Sequence, residues 1–258
     1  MNIEKNQIPI TEFDPDKTAI IEPSGRFEDI SPPKYCVMPI YSTLIEKLKN
    51  DNRLEKIYEL VTVFLTPIEV YKLDYGGKPI VVANPGIGAP LVVGIFEELI
   101  ALGCRKFVAC GSAGVLNPDL KRGAIIIPSL AVRDEGTSYH YCPPSRVIEM
   151  DREVVGKLEA VLVKHGVKYE IGKTWTTDAF YRETKGKIAK RKSEGCLTVD
   201  MECSALIAAS KFRNVTLGQY LSVGDDISGK VWDPRRVDNK IAFQEKVFWL
   251  SVEACLSL

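Results

Sequence analysis

Four kinds of segment carry residue types and spacings that can do chemistry. Gly86-Ile87-Gly88-Ala89-Pro90 and Gly111-Ser112-Ala113-Gly114 each follow a short apolar run. A glycine-rich loop in that position lets backbone N–H groups converge on an anion with no Cβ in the way. The first loop is not a dinucleotide fingerprint, because Leu91 stands where a third glycine would fall. Val199-Asp200-Met201-Glu202 sets two carboxylates on either side of a methionine, where an apolar run gives way to a helical pattern. Buried acids need donors, and the vicinal hydroxyls of a sugar would supply them while the methionine packs on the ring carbons. An acid at a helix start is also favoured by the helix dipole with no ligand at all. Ser222-Val223-Gly224-Asp225-Asp226 places a carboxylate at a strand end, where α/β folds collect ligands, although an Asp capping a turn reads the same way. Phe180-Tyr181 offers an aromatic face to a planar ring, or fills a core.

The elements that must position these residues follow from periodicity. Glu69 to Tyr75 roughly alternates, Gly76-Gly77-Lys78 turns, and Pro79 to Ala83 is fully apolar, which predicts a hairpin entering the core. Leu91 to Leu102 has helical spacing through Val92, Ile95, Phe96, Leu99 and Leu102, and Gly103 stops it. Lys106 to Cys110 and Ala124 to Pro128 predict further buried strands. Helices are predicted over 151–164, 201–212 and about 239–257, with strands over 168–180 and 216–223. Residues 133–141 read as a polar loop and 184–194 as a basic exposed stretch. Strand, loop and helix in this order predict a layered α/β domain over 36–258. Residues 1–35, with Pro9, Pro15, Pro23, Pro32 and Pro33, read as an N-terminal arm.

Composition removes several function classes. Thirty-four Lys plus Arg balance thirty-four Asp plus Glu, so no global field favours nucleic acid or an anionic membrane. The run Lys185, Lys187, Lys190, Arg191, Lys192 lacks interleaved aromatics, which argues against nucleic-acid binding. Seven cysteines without a C-x-x-C pair read as reduced and buried, and two histidines give no metal-ligand spacing. No apolar stretch is long enough to span a bilayer and the first residues lack an apolar leader core, so a soluble, cytoplasmic protein is expected.

Taken in order, the segments resemble the nucleoside phosphorylase superfamily of uridine phosphorylases, hexameric purine nucleoside phosphorylases and nucleosidases. The matching pieces are Gly77 to Val82, Pro85 to Pro90 with Glu97-Glu98-Leu99 behind it, Gly111 to Gly114, Val132 to Ser138, Asp178-Ala179-Phe180, Val199 to Glu202 and Val223-Gly224-Asp225. They cover about residues 35 to 255. The resemblance implies a twisted central mixed β-sheet flanked by helices. It also implies cleavage of the bond between a base and C1′ of a ribose, with inorganic phosphate as co-substrate and no other cofactor, in a homo-oligomer, a hexamer built from dimers. The transition state is oxocarbenium-like, so a site needs a carboxylate near the sugar and a donor near the departing base. By resemblance Glu202 is the ribose-hydroxyl carboxylate, Met201 lies under the sugar, and Asp200 occupies the preceding position, where Glu is commoner. Phe180 lies against the base, Gly88, Gly111 and Ser112 hold phosphate, and Asp225 protonates purine N7. Tyr181 to Gly186 does not reproduce the Gln and Arg that read uracil, so a purine-type nucleoside is expected, although the Arg133 to Tyr141 loop is nearer the uridine branch.

The phosphate site departs from the family pattern. Ala109 stands where an Arg precedes the Gly-Ser, Met38 to Thr43 lacks the expected Gly and Arg, and no Arg lies near Thr66. Each lost charged hydrogen bond weakens dianion binding by about 1.5–3 kcal/mol. Either Lys72, Arg133 or another cation substitutes, or water is the nucleophile, or the chain binds a nucleoside without cleaving it. No acid follows Cys36-Val37-Met38 to activate water. Phosphorolysis is the first expectation and hydrolysis the second.

Overall fold

Apolar runs bounded by glycine and proline supply most of a ten-stranded mixed sheet. The computed structural model describes residues 3, 5–23, 32–60, 67–236 and 240–258. The strands are β1 (Tyr35–Pro39), β2 (Glu55–Leu60), β3 (Ile68–Tyr75), β4 (Lys78–Ala83), β5 (Lys106–Val115), β6 (Ile125–Asp134), β7 (Val147–Glu149), β8 (Tyr169–Thr177), β9 (Cys196–Asp200) and β10 (Thr216–Asp226). The helices are α1 (Ser42–Asn50), α2 (Ala89–Leu102), α3 (Arg152–Lys164), α4 (Lys185–Ser193), α5 (Cys203–Arg213) and α6 (Lys240–Ser257). The expected α/β class, a single domain with a mixed sheet flanked by helices, is what the chain forms.

The ten residues of β5 are the hub of the sheet. Its first half lies between β1 and β10, parallel to both, while Gly114 and Val115 pair antiparallel with Val199 and Thr198 of β9. From β10 the ladder continues antiparallel to β6, then parallel to β8 and to β9. Because β9 returns to β5, these five strands close into a ring, and β1, β4, β3 and β2 form an open wing from it. The ends of β5, β9 and β10 therefore meet at one rim.

Helices cover both sides of the sheet. α2 packs on α5, and α6 lies on β1, β5 and β10 with α1 and α3 beside it. α5 is buried continuously from Cys203 to Ser210, and its small residues Ser204, Ala205, Ala208 and Ala209 allow that close seating. α3 starts where predicted, because the Asp151 carboxylate accepts from the N–H groups of Glu153 and Val154 at 2.7 and 3.4 Å. Six of the seven cysteines are buried. Among the described residues no helix is long and apolar enough to cross a membrane.

Four segments differ from their sequence reading. Residues 35–60, left without elements, form β1, α1 and β2. β6 runs on through Pro128 to Asp134, so Arg133 and Asp134 are strand rather than loop; a register shift between Pro128 and Leu130 absorbs the proline. The basic stretch is a helix, α4, docked rather than merely solvated. Lys187 and Arg191 pair with Asp134 at 3.2 and 3.1 Å, and Arg191 is buried over the Trp175 ring. The last helix begins at Lys240; Asn239, like Thr66, lies outside the described residues.

α3 sits close on β10 because Gly218 has no side chain: a Cβ there would lie 2.7 Å from Leu158 Cδ1 and 3.3 Å from Val154 Cγ1. Gly218→Ala should therefore lower stability by roughly 1–3 kcal/mol through overpacking. A denaturant titration checks it; an unchanged midpoint would show that the helix gives way freely.

Candidate functional site

The corner from β9 into α5 is built around one buried carboxylate. Asp200 Oδ1 accepts from the hydroxyls of Thr174 and Thr176, both at 3.0 Å, and Oδ2 accepts from the backbone N–H groups of Glu202 and Cys203 at 2.9 and 2.6 Å. Thr176 Oγ1 in turn accepts from the N–H of Ser204 at 3.0 Å. Burial pushes the Asp200 carboxyl up, against the pull of these four donors. With every donor drawn from the protein, Asp200 orders the turn that presents Met201 and Glu202.

Glu202 is also buried, with Oε1 accepting from the Gly88 N–H at 2.7 Å. Gly88 has φ 96°, left-handed backbone that suits glycine, and it precedes α2. That bond ties the start of α2 to the β9–α5 corner. Burial, and then the nearby Asp200, raise the Glu202 carboxyl from 4.5 to about 7, and the Gly88 bond works against them. Sugar hydroxyls donating to the carboxylate would lower it again.

The second acid stands at the end of β10. Asp226 exchanges backbone hydrogen bonds with Asp233 at 2.7 and 2.9 Å and pairs with Arg235. The chain between them folds back, so that Trp232 Nε1 donates to Asp225 Oδ2 at 2.6 Å. Glu183, half-buried just beyond Phe180, is raised to about 7 by burial and by the charge of Asp225. Two carboxyls thus face each other with a proton available near neutrality. Phe180 is half exposed, its ring centroid 4.1 Å from that of Tyr181.

Ser112 and Asp225 line one cleft of about 850 Å³, together with Ser222, Gly224 and Trp232. The Ser112 and Ser222 hydroxyls of its wall continue into the buried Tyr41: Tyr41 Oη and Ser222 Oγ are 2.9 Å apart, and Ser222 Oγ donates to the Gly111 carbonyl at 3.0 Å and lies 3.4 Å from Ser112 Oγ. Burial pushes the Tyr41 phenol far up, so it is neutral. Of the three residues expected at phosphate, Ser112 is exposed in this cleft, while Gly111 is buried with Ile40 against it. Gly88, Phe180, Asp200, Met201 and Glu202 are not in its wall. β9, pairing with Gly114 and heading past Ser112, connects the two halves.

The departures at the phosphate site have a structural reading. Ala109 is wholly buried on the strand face opposite Ser112, level with Met38 and Gln219. Gln219 is buried too, and its amide has no partner among the described residues. Neither cation named as a substitute is available. Lys72 pairs with Glu55 at 2.6 Å on the outer wing. Arg133 is buried and spends its guanidinium on Ser138, Ser145 and the carbonyls of Cys142 and Pro143. The sequence reading missed Arg122, Arg236 and Lys240, which line the cleft, and Glu183, whose only signal was its place three residues after Phe180. Among the described residues no cluster of His, Cys, Asp or Glu is placed to hold a metal.

Comparison with known proteins agrees with this architecture. The sequence model of the phosphorylase superfamily matches residues 44–248, and the chain belongs to that superfamily. A uridine phosphorylase of Thermococcus kodakarensis is 41% identical over 107 residues, covering 42% of this chain and 39% of that protein. A guanosine phosphorylase of Halorubrum lacusprofundi is 23% identical over 159 residues, covering 62% of this chain and 66% of its own length. The match thus spans less than two thirds of either relative. The crystal structure of uridine phosphorylase from Vibrio fischeri superposes with a TM-score of 0.73 at 22% identity, covering 89% of this chain and 94% of that one, which shows a shared fold.

Two outcomes follow for the carboxylates. Asp200→Asn turns an NH₂ toward two donors and should cost about 2–3 kcal/mol of stability, measured by denaturant unfolding. For Glu202 the folded protein holds a proton that the unfolded chain releases above 4.5, so this contribution is present at low pH and lost as pH rises through about 7. Glu202→Gln keeps an acceptor for Gly88 and removes the titration. Its thermal midpoint relative to the parent should therefore rise between pH 5 and pH 8, and a constant difference would show that Glu202 titrates normally.

Proposed function

We propose that the chain cleaves the N-glycosidic bond of a nucleoside, purine-type in preference, by phosphorolysis to free base and ribose 1-phosphate. The observation that carries the reading is the shared cleft: an acid, Asp225, at one part of the wall and the exposed hydroxyl of Ser112 at another. As the bond to C1′ breaks, negative charge grows on the base and positive charge on the sugar. Asp225, with Glu183 beside it near neutrality, supplies the proton that the leaving base takes up. Trp232 fixes the Asp225 carboxyl and Phe180 offers the base an aromatic face. Glu202 accepts from the sugar hydroxyls and, ionised, balances the charge on the ring. Phosphate attacks C1′ from the side of Ser112.

The family and the relatives' names support phosphorolysis, and those names include both a uridine and a guanosine enzyme. The purine preference rests on Asp225 and on the absence of the uracil-reading pattern after Phe180. A second reading, hydrolysis, is favoured by one observation: Ala109 is sealed away from the cleft, so the cation expected there is missing.

Incubation with inosine, guanosine, adenosine and uridine, with and without phosphate, separates these readings through the release of free base. Purine release only with phosphate is the expected result; release without phosphate means hydrolysis, and binding without release means a nucleoside-binding protein. Asp225→Asn should lower turnover by about 10²–10⁴-fold with the fold intact, and unchanged turnover would remove Asp225 from the reaction.

A further inference from the structure

The wall of the 850 Å³ cleft is strongly asymmetric in charge. Besides Asp225 it carries Arg122 from the β5–β6 connection, Arg236, and Lys240 at the first position of α6. No carboxylate among the described residues pairs with any of the three. Arg122 makes one long contact, Nη1 to the Pro234 carbonyl at 3.5 Å. By contrast the neighbouring Arg235 is fully engaged, paired with Asp226 and donating to the Leu120 carbonyl at 2.9 Å. Among the described residues the wall thus holds three cations against one acid, together with the hydroxyls of Ser112 and Ser222, which can donate to an oxyanion. Gln244 of α6, nine-tenths buried, also lines this space and accepts from Thr43 Oγ1 at 3.3 Å.

A dianion is the ligand that uses this set. Unpaired guanidinium groups with a neighbouring hydroxyl match the tetrahedral oxygens of a phosphoryl group. The space also exceeds what a lone phosphate needs, so a larger ligand reaching Asp225 can be held at the same time. We infer that Arg122, Arg236 and Lys240, with Ser112, form the phosphate-dianion site of this chain, in place of the arginines absent at Ala109 and after Met38. The inference deepens the phosphorolysis reading and rests on it for the site's use, but the binding itself can be measured apart from any reaction. The dianion has two possible sources, inorganic phosphate as attacking nucleophile or a phosphoryl group carried by the nucleoside.

The test is calorimetric titration of the full chain with inorganic phosphate, with adenosine and with adenosine 5′-phosphate, in the parent and in Arg122→Ala, Arg236→Ala and Lys240→Ala. Arg236 and Lys240 are exposed, so their variants stay folded even if Arg122→Ala loosens the Pro234 contact. Lys211→Ala, an equal charge loss at the far end of α5, is the control. The expected result is a 10- to 100-fold loss of inorganic phosphate affinity for each cation removed, with Lys211→Ala like the parent. A loss confined to adenosine 5′-phosphate, with adenosine unaffected, supports the site and makes the ligand the source of the dianion. Unchanged affinity for both phosphates in Arg236→Ala and Lys240→Ala, or an equal loss in Lys211→Ala, overturns it. If the parent releases no base yet binds phosphate through these cations, the phosphorolysis reading fails and the site stands. If the cation variants release base with an unchanged KM for phosphate, the site fails and the reading stands.

Discussion

A carboxylate taken out of water must be surrounded by donors, and the Asp200 corner is organised by that requirement. Its four hydrogen bonds come from β8, from the turn after β9 and from the first residue of α5, so one group fixes three elements. Water could solvate either state of an exposed acid, but here only the folded arrangement provides the donors. The direction in which Met201 and Glu202 leave the sheet follows from that. So does the meeting of Glu202 with the left-handed backbone at Gly88, which starts α2 on the other side of the corner. A site residue in the family sense and a structural residue in the physical sense thus stand next to each other in sequence.

The charges of the rim are divided rather than mixed. Near α5 and the start of α4 stand the acids Glu202, raised by burial and by Asp200, and Glu183, raised by burial and by the charge of Asp225. On the side of α6 stand the cations Arg122, Arg236 and Lys240, with which no carboxylate among the described residues pairs. Between the two runs the neutral chain of Tyr41, Ser222 and Ser112 hydroxyls. A ligand with an apolar ring at one end and an anion at the other is the complement of that division. In this register position 109 faces the core, where an unpaired guanidinium would be costly.

Much of the scaffold was legible locally. The Gly76-Gly77 hairpin, α2 between Gly88 and Gly103, and α3 behind Asp151 are set by residues within a few positions of one another. The carboxylates of Asp200, Glu202 and Asp225 stand out because they end apolar runs. What the sequence does not display is non-local. The ring closes through two residue pairs, Gly114 with Val199 and Val115 with Thr198, far apart along the chain. β6 hides behind Pro128, whose cost to a ladder is absorbed by a register shift. Arg122, Arg236 and Lys240 come from separate connections with no common spacing, and Glu183 gains its character from Asp225, a strand away. The hydroxyl donors of Asp200, Thr174 and Thr176, sit on β8, and nothing in the string of residues pairs them with it.

Joining β9 back to β5 has a consequence for how these molecules behave in company. Strands within the ring have neighbours on both sides, so they offer no template to another chain. Among the described residues, apart from the three-residue β7, the outward margin of the sheet is β2, where Glu55 pairs with Lys72 and Lys56 with Glu69 of β3, and Glu59 pairs with Lys56. Such a fringe of opposite charges discourages strand addition. A crowded solution of this protein is thereby guarded against fibrous self-association at the place where an open sheet is most vulnerable.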